Sequence, residues 1–255
     1  MTTIDTIRFP RIKLGLLLFL AGMLGVVALT VTVLPQVLGD ASLPLPLWLV
    51  LAASIAQSGL LVALVVWLGV LLAPKVGLSA PAFEAVVTRQ SVAAALRPQL
   101  FLGLLGGLLG GFGLFVIGGY APAELADVEQ PFTLPLVARV LYGGITEELL
   151  LRWGLMTVLV WMAWRLLQRR KGTPQIVYIW LAIVVSALLF GAGHLPAAAA
   201  QVGALTADLV AFVVGANTVF GILFGYLFWR YGLEAAIIAH AFGHVVSHVV
   251  SIVVA

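Results

Sequence analysis

The chain has 255 residues, of which 63% are hydrophobic and only 9% are charged, and its formal net charge is +3. Apolar runs long enough to cross a bilayer recur along the sequence, so the composition excludes an ordinary soluble domain. There is no cysteine, which excludes disulfides, thiolate metal sites and a cysteine nucleophile. The basic residues are spread over several short loops, a pattern that does not indicate binding of nucleic acid.

Seven apolar segments predict an all-α fold, a polytopic transmembrane helical bundle of about seven spans in one membrane domain. A helix needs about 20 apolar residues to cross the hydrocarbon core. The first apolar run is longer than the hydrophobic region of a signal peptide, so a cleaved leader is not expected. The predicted spans cover residues 14–34, 47–72, 100–119, 132–166, 176–193, 209–228 and 233–254.

The distribution of positive charge predicts the orientation of the bundle. Of the 13 basic residues, Arg139 and Arg152 lie deep inside a span, and the other 11 lie at or beyond span ends on one side of a seven-span arrangement. The opposite side receives acidic residues and no lysine or arginine. Because basic loops stay in the cytoplasm, the N-terminus is expected to be cytoplasmic and the C-terminus outside. The basic residues on the cytoplasmic side are Arg8, Arg11, Lys13, Lys75, Arg89, Arg97, Arg165, Arg169, Arg170, Lys171 and Arg230.

The segment between the second and third spans is too polar for the hydrocarbon core and apolar enough to lie on its surface. It predicts a cytoplasmic amphipathic helix over residues 81–96, either beside anionic headgroups or as a loop helix without a lipid role.

The third span carries Gly103, Gly107 and Gly111 at four-residue spacing. Residues four apart share one side of a helix, so these glycines form a bare face against which another helix can pack closely. A glycine loop that binds phosphate is not expected, because no strand precedes this continuously apolar stretch.

Two adjacent glutamates, Glu147 and Glu148, lie within the predicted fourth span. An ionised carboxylate at bilayer depth is costly and marks a functional site by default. Arg152 is four residues after Glu148, so the two can form an ion pair on one helix face. Glu147 is rotated by about 100° from Glu148 in an α-helix, which leaves it available for chemistry. The alternative is that both acids join helices structurally, with Arg139 pairing with Glu147.

All four histidines occur near the end of the chain, at His194, His240, His244 and His248. The last three recur every four residues in the seventh span and therefore share a broad face. If the fourth and fifth spans form a hairpin, Glu147 and His194 lie at the same depth, roughly 30 Å from the basic turn.

The same helical count places His240 too close to the cytoplasm, because it follows Arg230 by only about ten residues, or roughly 15 Å. His240 can reach the other groups only if the fourth and fifth helices project into the cytoplasm or the seventh is displaced outward. His248 would be level with them without any adjustment.

Three short motifs on these helices resemble those of a known family, the CAAX prenyl endopeptidase and bacteriocin-processing family of intramembrane glutamic proteases. Its EExxxR, FxxxH and HxxxN motifs are similar to EELLLR at 147–152, FGAGH at 190–194 and HAFGH at 240–244. The last motif departs from the family at its final position, where His244 stands in place of asparagine. The resemblance covers about residues 139–251 and assigns residues 132–255 to a catalytic core that follows the N-terminal helices and cytoplasmic segment of residues 1–131.

The resemblance implies an intramembrane endopeptidase in which Glu147 is the general base that activates water and His194 is its partner. It implies that His240 and His244 stabilise the oxyanion, a role that strengthens where water is excluded. Glu148 and Arg152 would form a structural ion pair, and no cofactor is required. A neutral imidazole donates one hydrogen bond, so His244 can keep the role of asparagine, subject to tautomer and pH.

A zinc protease is the first competing interpretation, because Glu147, His194, His240 and His244 are together a plausible set of zinc ligands. Against it, the glutamate next to the first histidine of an HExxH motif is missing. The same groups could instead relay protons in a proton-coupled transporter, or the chain could be a non-proteolytic immunity protein. The chain shows no inverted repeat or pair of broken helices, which disfavours a transporter.

These patterns predict an integral protein of a prokaryotic inner or plasma membrane that acts on a peptide or protein substrate. The substrate is expected to be membrane-anchored or close to lipid and can carry a lipid modification. Its identity and the side of the membrane from which it enters are not fixed by the residues.

Overall fold

The computed structural model describes residues 10–39, 44–126, 132 and 134–254. Within these residues the regular structure is helical and no strand occurs. Seven of the described helices are long and apolar enough to cross a membrane, which confirms the predicted all-α bundle. The seven spans are Arg11–Leu38, Leu47–Lys75, Val92–Gly118, Leu136–Leu167, Ile176–Val202, Ala207–Tyr231 and Leu233–Val254.

Several predicted bounds agree with individual helices and others shift by a few residues. The helices Leu47–Leu72, Ile176–Gly193 and Leu233–Val254 have the predicted ends. The first span consists of Arg11–Thr32 and Leu34–Leu38, and the fifth continues after His194 as Leu195–Val202. The short remaining elements are a 3₁₀ turn at Ala73–Lys75 and a helix at Ala123–Ala126.

The prediction of one amphipathic helix over residues 81–96 was wrong. The structure has a short helix at Pro81–Thr88 and then the third span, which begins at Val92. Arg89 adopts a left-handed conformation with φ of 57°, which ends the first helix. The side chain of Ser91 accepts a hydrogen bond from the backbone nitrogen of Ala94 at 3.3 Å and starts the next one.

The predicted glycine face of the third span packs closely against the seventh, as expected. A Cβ atom built on Gly107 would lie 2.8 Å from the carbonyl oxygen of Ala239, and one on Gly111 would lie 2.5 Å from that of Gly243. Only hydrogen fits at these distances. The glycines therefore hold the seventh helix against the third along its length.

The fourth span departs from an ordinary α-helix. Its segments Arg139–Glu147 and Leu149–Met156 are π-helical, with backbone hydrogen bonds that close five residues apart. Thr146 ties this region to the first span through a hydrogen bond from its Oγ1 to the carbonyl oxygen of Gly22 at 2.7 Å. The wider turn changes which sides the glutamates face, because each residue turns less about the axis than in an α-helix.

The start of the seventh span is buried beneath the short helix Pro81–Thr88. Glu234 Oε1 accepts hydrogen bonds from the backbone nitrogens of Ala82 and Phe83, each at 2.8 Å. The backbone nitrogen of Leu233 donates to the carbonyl oxygen of Ser79 at 3.1 Å. The helix therefore begins below a covering layer of protein, which agrees with the outward displacement that the position of His240 requires.

Candidate active site

A cavity of about 140 Å³ is lined by residues from six of the described spans. Residues of all three motifs line this cavity. Glu147 does so from the first motif, whereas Glu148 and Arg152 do not. The residues lining it include Glu147, Phe190, His194, His240 and His244, together with Leu29, Gly110, Leu114, Leu134, Arg139, Tyr142, Gly143, Asn217, Phe220 and Phe224.

Both glutamates approach His240, but only one of them is open to the cavity. Glu147 Oε2 lies 4.0 Å from His240 Nε2, and its side chain is 18% exposed. Glu148 Oε1 lies 2.9 Å from His240 Nδ1, and its side chain is fully buried. The expectation that Glu148 serves only an ion pair was therefore incomplete, since the π-helical turn brings both acids to one histidine.

Arg152 lies on the other oxygen of Glu148. The distance from its Nε to Glu148 Oε2 is 3.3 Å, and both side chains are fully buried. The pair is close enough to be an ion pair, yet its atoms are not aligned for a hydrogen bond within the described residues. The guanidinium carbon also lies 5.1 Å from the ring centre of Phe190 and 5.9 Å from that of Phe224, so both rings help to stabilise the buried cation.

The contact with Glu148 determines which nitrogen of His240 carries hydrogen. An ionised carboxylate only accepts hydrogen bonds, so Nδ1 is the donor and the neutral ring presents a lone pair at Nε2. Nε2 faces Glu147 and the cavity. His240 can consequently donate a hydrogen bond to a reacting oxygen only when its ring is protonated.

His194 is oriented by its own helix. Its Nδ1 lies 2.9 Å from the carbonyl oxygen of Phe190, which can only accept, so Nδ1 donates and Nε2 is left with a lone pair. The rings of Phe190 and His194 meet edge to face at 4.7 Å. The FxxxH spacing thus sets both the position and the tautomer of the histidine.

His244 follows His240 by one helical turn, and the two ring centres are 4.9 Å apart. Its imidazole occupies space left by Gly143 on the fourth span, where an added Cβ would lie 2.6 Å from His244 Nε2. Gly143 therefore makes room for the ring that stands in place of asparagine.

Two further residues considered from the sequence do not join this group. His248 does not line the cavity, although the straight-helix count places it level with Glu147. Arg139 lies at the cavity wall, and its Nε donates to the carbonyl oxygen of Leu134 at 3.1 Å. No ion pair between Arg139 and Glu147 is found among the described residues.

The histidines and Glu147 also formed the zinc set considered from the sequence. Among the residues that the structure describes, no three histidine or carboxylate side chains form a group able to hold a metal ion. The zinc protease stays an open prediction, which metal analysis of the purified protein tests.

Sequence reasoning missed the aromatic support of the site and the amide of Asn217. The ring of Phe224 stacks on His240 at 4.5 Å with an interplanar angle of 19°. Asn217 Nδ2 donates to the carbonyl oxygen of Val213 at 2.8 Å, and the residue lines the cavity. Phe224 and Asn217 are seven residues apart on the sixth span, a helical spacing that could have placed both on the site-facing side.

Residues 129–246 match the family model described as type II CAAX prenyl endopeptidase Rce1-like. This segment is similar to the Rce1-like family. The match contains all three motifs and confirms the resemblance that they carry. No curated protein and no solved structure matched the chain. Seven of the described helices are long and apolar enough to cross a membrane, so the chain is an integral membrane protein, and its segment of residues 129–246 is similar to CAAX-type proteases.

Proposed function

We propose that the chain is an intramembrane endopeptidase that hydrolyses a peptide bond with water activated by Glu147. The proposal extends the similarity to the Rce1-like family to named residues and to a glutamic mechanism. It treats the N-terminal helices of residues 1–131 as the support of a catalytic core at residues 132–255, within one membrane domain.

In the proposed reaction, a water molecule lies between Glu147 and His194. The carboxylate of Glu147 accepts a proton while the water oxygen attacks the carbonyl carbon of the substrate. The lone pair on His194 Nε2 orients the water by accepting its other hydrogen. The tetrahedral intermediate then expels the amine, which takes the proton from Glu147, so that one water and one peptide bond give a carboxylic acid and an amine.

His240 and His244 would stabilise the oxyanion of the intermediate. Because Nδ1 of His240 is committed to Glu148, the ring must be protonated to donate from Nε2, and Glu148 would hold it in place. His244 can donate as a neutral ring from either nitrogen. The departure from asparagine then leaves the site with two imidazoles at the oxyanion.

The observation that carries this proposal is the convergence of Glu147, His194, His240 and His244 on one cavity, with Glu147 as its only carboxylate among the described lining residues. A structural ion pair needs no cavity and no exposed acid. A general base needs both, because water has to reach it.

The substitution Glu147→Gln tests the proposal. We expect proteolysis to fall by at least about 100-fold, since removal of a general base commonly costs that much. Membranes of cells that produce wild type or Glu147→Gln would be compared by mass spectrometry of peptide termini, and the cleaved sequences would then be assayed with purified protein. Glu124→Gln is the matched control, because it makes the same chemical change at an exposed site outside the cavity.

Wild-type cleavage by purified, correctly inserted Glu147→Gln protein would refute the glutamic mechanism. The same comparison identifies the substrate, and mass measurement of the cleaved chain shows whether it carries a lipid. A prenylated or otherwise lipid-modified substrate and an unmodified membrane peptide are both compatible with the proposed chemistry.

A further inference from the structure

We infer that the active-site cavity opens on the non-cytoplasmic side of the membrane, so that the substrate is a peptide segment presented at that face. The inference names the substrate class for the function proposed above and rests on it. The direction of the opening itself can be measured without any activity.

The two ends of the bundle differ in charge. The start of the first span, the segment of residues 73–91 and the start of the seventh span meet at one end, where Arg11 lines a surface groove with Ser79 and Glu84. The turn of residues 165–171, which carries four basic residues, follows the fourth span at that same end. By the distribution of lysine and arginine, this end faces the cytoplasm.

The cavity is closed toward the basic end. Between Glu148 and the basic end, the fourth span carries Arg152, Trp153 and Met156, whose side chains are fully buried. Trp153 donates from its Nε1 to the carbonyl oxygen of Val66 at 3.1 Å and meets the ring of Phe228 at 6.4 Å. The covering helix Pro81–Thr88 is fastened to Glu234 beneath this layer. These buried side chains separate Glu147 from the basic end.

The cavity extends toward the acidic end instead. Its wall includes Leu29 near the end of the helix Arg11–Thr32, Leu114 near the end of the third span, and Leu134 just before the fourth. Leu114 and Leu134 are more than one third exposed. His194 lies just beyond the helix Ile176–Gly193, at the same end. These positions all follow or precede the loops that carry the acidic residues.

The charge of the two ends and the buried layer at Trp153 together indicate from which side of the membrane a substrate enters the cavity. A substrate would reach Glu147 after its cleaved segment has crossed the membrane or while it lies in the outer leaflet. A segment confined to the cytoplasmic surface would be separated from the site by the buried layer at Trp153.

Cysteine labelling tests the direction, because the chain has no native cysteine and each single substitution reports alone. Asn217→Cys and Leu114→Cys place a thiol in the cavity wall, on two different spans. Thr173→Cys marks the basic end and Ala204→Cys the acidic end, both at exposed positions. A membrane-impermeant sulfonated maleimide is added to right-side-out and to inside-out vesicles that contain the full chain.

We expect the cavity thiols and Ala204→Cys to be labelled in right-side-out vesicles, at least ten times faster than in inside-out vesicles. Thr173→Cys should show the opposite preference. Cavity thiols that follow Thr173→Cys, a reversed orientation of the two end markers, or cavity thiols protected from both sides would each overturn the inference. None of these results depends on proteolysis, so a failure here is separate from a failure of Glu147→Gln to lose activity.

Discussion

Glu147 and Glu148 are neighbours in the sequence, yet the structure gives them different surroundings. Glu148 is fully buried between Arg152 and His240, whereas Glu147 reaches the cavity. Loss of Glu148 would leave a buried guanidinium without its counter-charge and His240 without its acceptor. The first effect concerns stability and the second concerns catalysis, so the two can be separated by substitution.

We expect Glu148→Leu alone to destabilise the protein by about 3–5 kcal/mol, the usual effect of removing one partner of a buried ion pair. Addition of Arg152→Met should restore most of the thermal stability, because the guanidinium that lost its counter-charge is then removed. The activity should stay low in this double variant, since a leucine side chain cannot accept a hydrogen bond from His240. Thermal unfolding in detergent and cleavage of the identified substrate measure the two effects.

The matched variant is Glu148→Gln with Arg152→Met, in which the amide oxygen can still accept from His240 Nδ1. It should be more active than the double variant with leucine at equal stability. Equal activity of the two would show that the contact between Glu148 and His240 does not matter for catalysis.

His244 is the position at which the chain departs from the family motif. If it stabilises an oxyanion, His244→Asn should retain substantial activity, whereas His244→Ala should lose on the order of 100-fold, as is usual for a deleted oxyanion donor. Metal analysis of wild type and His244→Asn accompanies the cleavage assay. Stoichiometric zinc in wild type that disappears together with activity in His244→Asn would favour a zinc protease and contradict the proposed roles.

Among the helices, close packing of the third and seventh spans holds His240 and His244 in place. We expect Gly111→Ala to lower the melting temperature, because its Cβ would lie 2.5 Å from the backbone oxygen of Gly243. Overpacking of this kind typically costs about 1–3 kcal/mol. Gly118→Ala on the same helix is the control, since a Cβ there meets nothing within 4 Å. Equal melting temperatures of the two variants would contradict the close approach.

The sequence predicted the helices well where hydrophobicity alone determines them. Spans such as Leu47–Leu72 and Leu233–Val254 begin and end where their apolar runs do. It failed where local backbone geometry decides. Nothing in the hydrophobic pattern marks the left-handed Arg89 or the π-helical turns around Glu147, and both errors of interpretation arose there.

The candidate site residues could be selected from the sequence because charged and imidazole groups are rare in apolar helices. Their mutual distances could not, since His240 reaches Glu147 only through the covered start of the seventh span. The position at which the seventh span begins depends on contacts of Leu233 and Glu234 with the backbone of residues 79–83. Those residues lie about 150 positions before Glu234 in the chain. A pattern along one helix contains no information about such a contact.

At the scale of the whole molecule, the Rce1-like segment packs against all three of the spans that precede it. Thr146 bonds to Gly22 of the first span, Trp153 bonds to Val66 of the second, and the third span supports the seventh. The match to residues 129–246 therefore covers the three motifs but not Leu29, Gly110 and Leu114, which line the cavity from the first and third spans.

We expect residues 129–255 expressed alone to be degraded or aggregated, because the buried faces of the fourth and seventh spans would be exposed. Co-expression with residues 1–128 should restore a complex that copurifies through a tag on the N-terminal fragment. Gly111→Ala in that fragment should weaken the association, whereas Gly118→Ala should not. A stable and active fragment of residues 129–255 would show that the first three spans are dispensable.

The buried layer of Arg152, Trp153 and Met156, which closes the cavity toward the basic end, affects how product can leave. A cavity that is closed toward the basic end admits the end of a chain or a bent loop, but an extended strand cannot enter it at one end and leave at the other. Under the proposed function, the fragment released by cleavage has to depart through the entrance that the next substrate needs. Progress curves should therefore bend before the substrate is exhausted, and the shorter cleavage product added at the start should slow the reaction competitively.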